Sequence, residues 1–132
     1  MYNTRMTGSP AQALYDKLGL KPEMTVDILN TPEELKKQFD LITTTNRPVD
    51  FLLFFTASQE HLWSNFALLT PQITKNGMLW ISWPKQSSGM KSDLNENIVR
   101  EIGLKNGLVD VKVCAIDETW SGLKFVYRLK DR

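Results

Sequence analysis

The stretch DFLLFFT, Asp50 to Thr56, constrains the fold more than any other part of the chain. Side chains alternate across a strand with a period of two, so a half-buried strand reads apolar, polar, apolar. Here both sets are apolar, with Phe51, Leu53 and Phe55 on one face and Leu52 and Phe54 on the other. Such a strand has to be covered on both sides, which is the condition of a central parallel strand with helices above and below it.

The flanking sequence supplies those helices. Ser9-Pro10-Ala11-Gln12 reads as a cap, a first-turn proline and a glutamine reaching back, and opens a helix carrying Ala11, Leu14 and Leu18 and stopping at Gly19. MTVDILN, residues 24 to 30, reads as a strand, and Thr31-Pro32-Glu33-Glu34 repeats the cap pattern for a second helix. Residues 41 to 45 read either as a short edge strand or as loop. From about Ser58, a helical stripe of Leu62, Phe66, Leu69 and Ile73 is broken by Pro71, and Asn76-Gly77 leads into a strand from Met78 to Trp83. Asp93-Leu94-Asn95-Glu96 is a further capping box, before a helix packing Leu94, Ile98 and Ile102 that ends at Gly103 or Gly107. Val111, Val113 and Ala115 then alternate with Lys112 and Cys114. After Asp117 to Gly122, Leu123, Phe125 and Tyr127 alternate with Lys124, Val126 and Arg128, which makes an antiparallel hairpin. Three β-α units and a hairpin predict an α/β protein: a three-layer Rossmann-like sheet, mostly parallel, with a C-terminal antiparallel hairpin. Residues 1 to 8 are expected to form a flexible tail, and 9 to 132 one domain.

Composition excludes several classes of function. With 132 residues and 42% hydrophobic content the chain can bury a core without disulfides. A net charge of +1, with the two signs interspersed, gives no basic stripe for nucleic acid. The apolar run Phe51 to Phe55 is far short of the roughly 20 residues needed to cross a bilayer. With a single cysteine and no leader-like N-terminus, the expectation is a cytoplasmic protein without membrane contact. Oligomeric state is not readable.

Ligands of open α/β sheets bind beyond the carboxyl ends of the parallel strands. The ends here are Asn30-Thr31, Thr56-Ala57-Ser58 and Trp83-Pro84-Lys85. The first lacks glycine and places Glu33 and Glu34 where they would repel an anion. The third is basic and contains glycine, with Lys85, Ser87, Ser88, Gly89 and Lys91. The candidate ligand-binding residues are therefore Asn30, Thr56, Trp83, Lys85, Ser87, Ser88 and Trp120. The competing structural reading pairs Lys85 with Asp117 or Glu118 across the hairpin turn, and assigns Trp83 and Trp120 to packing. Trp80, expected on the same face as Trp83, and Trp63 read as core. His61 has no metal partner at ligand spacing, Cys114 reads as an inert strand residue, a buried Asp27 would need partners, and Asp50 reads as a turn or cap residue.

The words LYDKLGLKPEMTVDILNTPEE, VDFLLFFTAS, GMLWISWPK and GLVDVKVCAIDETWSGLKFVYR resemble a bacterial family catalogued as domain-of-unknown-function family 3052, over nearly the whole chain. More distantly, a parallel unit at Asp50 to Thr56, another at Met78 to Trp83 and a closing hairpin resemble the C-terminal half of a class I methyltransferase sheet. That resemblance implies S-adenosylmethionine held by a glycine-rich turn after the first strand. Here that turn is Asn30-Thr31-Pro32-Glu33, without glycine. With no metal cluster and no catalytic triad in view, the first expectation is a non-catalytic binding or regulatory module. No cofactor is expected, S-adenosylmethionine or a nucleotide being the alternative, and the partner is a small anionic ligand or another protein. The competing readings are a degenerate methyltransferase-like enzyme using a nucleotide-like cofactor and a protein-interaction domain without a small ligand.

Overall fold

The structure, a computed structural model, describes residues 10–39 and 46–132; the expected tail at 1 to 8, the Ser9 cap and the edge strand at 41 to 45 lie outside the described residues. The chain runs α1 (Pro10–Leu18), β1 (Val26–Leu29), β2 (Val49–Phe55), α2 (Gln59–Leu69), β3 (Ile73–Pro84), α3 (Glu96–Lys105), β4 (Leu108–Ala115) and β5 (Trp120–Tyr127). The sheet order is β1-β2-β3-β5-β4. β1, β2 and β3 are parallel, and β5 inserts antiparallel between β3 and β4.

β2 behaves as its sequence demands. Phe51, Leu52, Leu53 and Phe55 are fully buried. Phe51, Leu53 and Phe55 join Trp80 under Leu14, Tyr15 and Leu18 of α1, while Leu52 and Phe54 face Leu62 and Phe66 of α2 and Val99 and Ile102 of α3. Each such side chain contributes roughly 1.5–3 kcal/mol by leaving water, which is why this strand anchors both layers. Trp80 donates its indole N–H to the Leu18 carbonyl at 3.0 Å, tying the end of α1 to the sheet.

Several expectations are corrected. The second helix is only a 3-10 turn, Glu33–Leu35; no side chain caps it, and Leu35 and Phe39 are its buried apolar contacts. Ile73 does not extend the α2 stripe but begins β3, because Pro71 sits in a 3-10 turn that redirects the chain. Gly77 therefore lies inside a strand, where a Cβ would come within 2.9 Å of the Asp50 carbonyl. Asn95, not Asp93, caps α3 by accepting from the Ile98 N–H at 2.9 Å. Gly103 does not end that helix; a Cβ there would meet Phe125 at 2.0 Å, so glycine lets α3 sit on β5. The stop is Gly107, in the left-handed region at φ 94°.

Trp80 and Trp83, three positions apart, fall on opposite faces as the strand period requires, Trp80 under α1 and Trp83 in the α2–α3 cluster. Trp63 is 43% exposed. In β4 a register irregularity between Asp110 and Lys112 leaves Val111 and Val113 exposed while Cys114 is half-buried. An irregular edge with a lysine on it resists pairing with another chain. Asp27 is buried with its carboxylate on Arg47, which satisfies it within the fold.

Candidate functional site

The parallel strands bring Asn30, Thr56 and Lys85 to one end of the sheet. Asn30 ends β1 in the left-handed region at φ 60°, a conformation asparagine tolerates better than other side chains do. Its amide donates to the Phe55 carbonyl at 2.7 Å and closes the seam between β1 and β2. Thr56 is buried, and its hydroxyl lies 2.7 Å from His61 Nδ1. The imidazole stacks on Phe54 with ring centroids 5.2 Å apart. This fixes Nδ1 inward, a bond between residues five positions apart that the sequence reading did not anticipate.

On the far side, Lys85 does meet Asp117, but at the main-chain carbonyl, 2.9 Å from Nζ, rather than at a carboxylate. The Asp117 carboxylate is spent on its own turn, accepting from the Thr119 and Trp120 amides at 2.8 and 2.7 Å. The Lys85 amide donates to the Thr119 carbonyl at 2.8 Å. The ion pair expected with Asp117 or Glu118 is thus replaced by a latch of lysine on backbone. Trp83 and Trp120 are each only 4% exposed. Trp120 packs edge-on to Phe55 at 5.3 Å, and its indole N–H reaches Glu34 Oε1 at 3.4 Å. Ser88 donates its hydroxyl to the Lys85 carbonyl at 2.6 Å, and Ser87 is exposed in the same 3-10 turn.

The open space lies one step away. A cavity of about 380 Å³ is lined by Ala57, Ser58, Lys91, Ser92 and Asp93, between the carboxyl end of β2 and the segment leading into α3. Its size falls in the range of small-ligand pockets, roughly 300–1,000 Å³. Five hydrogen bonds build its walls. Asp93 Oδ1 accepts the Gln59 amide, the first of α2, at 2.8 Å, and the Gln59 side chain donates to the Asp93 carbonyl at 2.8 Å. Ser92 donates to the Ala57 carbonyl at 2.8 Å and accepts from the Leu94 amide at 3.1 Å. Ser58 caps α2 by accepting from the His61 amide at 3.0 Å.

Of the seven residues named from the sequence, Thr56 directly precedes this lining and none belongs to it. Lys91 was visible as part of the basic loop. Asp93 and Ser92 were not, because their partners lie 34 and 35 positions away. Among the described residues no group of acidic, His and Cys side chains could hold a metal ion. Burial pushes the Cys114 thiol up, with Lys17 and Lys112 pulling the other way, so it is not primed as a nucleophile. No helix among the described residues is long and apolar enough to cross a membrane.

No protein-family model matches the chain, and no curated protein matches it. The resemblance to family 3052 therefore rests on the quoted motifs alone. Solved structures do match. Ribosomal protein L11 methylase from Lactobacillus delbrueckii subsp. bulgaricus is 11% identical with a TM-score of 0.58, over 89% of this chain and 77% of that one. A variant of LepI in complex with SAH and a substrate analogue is 9% identical with a TM-score of 0.53, over 92% of this chain and 40% of that one. The PH0226 protein from Pyrococcus horikoshii OT3 is 8% identical with a TM-score of 0.50, over 91% and 77%.

The fold is thus that of a methyltransferase-like Rossmann sheet. The chain spans less than half the length of some of the structures it matches. The expectation that no cofactor belongs with this chain is overturned, since a neighbour of this fold is solved with SAH in place.

Proposed function

We propose that the chain is a small methyltransferase-like domain that binds a ligand of the S-adenosylmethionine class at the carboxyl end of its sheet. One observation carries the reading: on a sheet of methyltransferase-like order, a ligand-sized cavity opens beside the end of β2, where open α/β sheets hold their ligands. The missing glycine after β1 is less of an obstacle than the sequence suggests. Asn30 itself makes the left-handed turn, and its side chain turns away to bond Phe55. The cavity wall mixes the small side chain of Ala57 with charged groups of both signs, a surface suited to a nucleoside bearing a zwitterionic arm. When bound, such a cofactor supplies an electrophilic methyl group. The chain's own residues hold and orient it: Ala57 gives room, Lys91 and Asp93 give charge, and Ser92 fixes the segment that carries them. Of the residues named from the sequence, exposed Ser87 remains available to the outer part of such a ligand, whereas the Asn30 amide and the Ser88 hydroxyl are already bonded within the fold.

The test is calorimetric titration of the protein with S-adenosylhomocysteine, with a nucleoside triphosphate as control, and a thermal-shift series alongside. A saturating ligand at a hundred times its dissociation constant adds about 2.7 kcal/mol of stability. Ala57→Phe, which fills the cavity, is expected to abolish the shift while the circular dichroism of the protein is unchanged. Equal binding by Ala57→Phe, or no binding by the parent protein, rejects the reading.

A further inference from the structure

The cavity wall has one property that its size alone does not convey. Nearly every polar atom in it is already used: the Ser58 hydroxyl by His61, the Ser92 hydroxyl by Ala57 and Leu94, and Asp93 Oδ1 by Gln59. Among the described residues two charged groups of the wall, both on exposed side chains, are left without a protein partner: the Lys91 ammonium and the second oxygen of Asp93. They are opposite in sign and two positions apart in one short segment. They do not form an ion pair with each other. That segment is strapped to the first turn of α2 by bonds to Gln59 and Ala57, so the charges are carried on an anchored wall.

The turn after β1 is unsuited to a carboxylate. Its asparagine amide is spent on Phe55, Pro32 has no N–H to offer, and Glu33 and Glu34 follow at once. An anionic group placed there would face two like charges.

We infer that Lys91 and Asp93 hold the two ends of an α-amino-acid group, Lys91 its carboxylate and Asp93 its ammonium, so that the amino-acid arm of the ligand enters the cavity between β2 and α3. This rests on the proposed binding of a ligand of the S-adenosylmethionine class and specifies which end of it the cavity takes. A carboxylate beside the Lys91 ammonium gains a charge-assisted hydrogen bond, and removing the lysine takes that bond away.

The experiment compares two probes by titration calorimetry. S-adenosylhomocysteine carries the amino-acid arm; 5′-methylthioadenosine is the same nucleoside thioether without it. The unaltered protein is expected to bind the first at least tenfold more tightly. Lys91→Met is expected to weaken S-adenosylhomocysteine about tenfold or more and to leave 5′-methylthioadenosine unchanged, with Lys91→Arg restoring most of the loss. Asp93→Asn, which keeps an acceptor for the Gln59 amide, is expected to weaken the same probe alone. If Lys91→Met leaves the affinity for S-adenosylhomocysteine intact, or lowers both probes equally, the assignment of the arm is wrong while ligand binding stands. If neither probe binds the unaltered protein, the proposed function itself fails.

Discussion

The two ends of the parallel sheet are built from the same residue types and do opposite things with them. At the amino end, Asp50 uses both carboxylate oxygens: Oδ2 accepts the Thr25 amide at 3.1 Å and Oδ1 the Thr74 hydroxyl at 3.0 Å. The Thr25 hydroxyl in turn accepts the Asp50 amide at 2.9 Å. The starts of β1, β2 and β3 are thereby locked by one side chain, and Gly77 packs so closely that a Cβ would lie 2.7 Å from Thr74 Oγ1. At the carboxyl end, Asn30, Thr56, Ser82 and Lys85 are also bonded inward, the Ser82 hydroxyl reaching the Ser121 carbonyl at 2.7 Å. One step outward, beside α2, donors and acceptors no longer balance, and a cavity opens with Lys91 and half of Asp93 unspent. A closed end and an open end differ in whether the local partners exhaust the polar groups. The proposed ligand site at the carboxyl end rests on that difference.

The largest expected effect lies at the closed end. Asp50→Ala removes two hydrogen bonds and leaves a part-buried amide of Thr25 without an acceptor. Bonds to a charged group and the desolvation of an orphaned donor together amount to about 2–4 kcal/mol. Urea unfolding should show this as a lower midpoint at unchanged slope. A loss below about 0.5 kcal/mol would mean that the lock is ornamental and that the contrast between the two ends is not energetic.

How much of this was legible in the sequence follows from the range of the interactions. DFLLFFT announced its place because both faces of a strand are written into consecutive residues, and Phe51 to Phe55 are buried as that pattern requires. The hairpin at the end of the chain was legible for a similar local reason. Val111 and Val113 misled because the irregularity between Asp110 and Lys112 shifts the alternation, and no residue there spells a bulge. Ile73 continued a helical stripe at the right spacing, so only the redirection at Pro71 could reveal a strand. The basic segment was visible as Lys85 to Lys91. Which of its lysines is free was not, because the Asp117 carbonyl that captures Lys85 belongs to the far hairpin. Asp93 carried a local cap signature that Asn95 fulfils instead, and its true partner is the start of α2.

That misreading supplies the next, smaller effect. Asp93→Ala should cost about 1 kcal/mol, the usual value of a carboxylate on a first-turn amide, through loss of its bond to Gln59. Asp93→Asn should cost less, since it keeps an acceptor. If Asp93→Ala proves as damaging as Asp50→Ala, the cavity wall is a structural lock like the amino end, and the distinction drawn between the ends fails.

The smallest expected effect is the most discriminating. Lys91 is exposed, with no carboxylate or hydrogen-bond partner among the described residues, so Lys91→Met should change stability by no more than about 0.5 kcal/mol in either direction. A group that contributes nothing to folding yet lines a ligand-sized cavity has its interaction still unmade. Lys85→Met is the internal comparison, since that ammonium is bonded at 2.9 Å and its loss should be visible, about 1 kcal/mol. Measured by denaturant unfolding in the same buffer, a silent Lys91 and a costly Lys85 would separate the lysine that holds the fold from the one left for a ligand. A costly Lys91 would place it with Asp50 among the residues whose work is finished once the chain has folded.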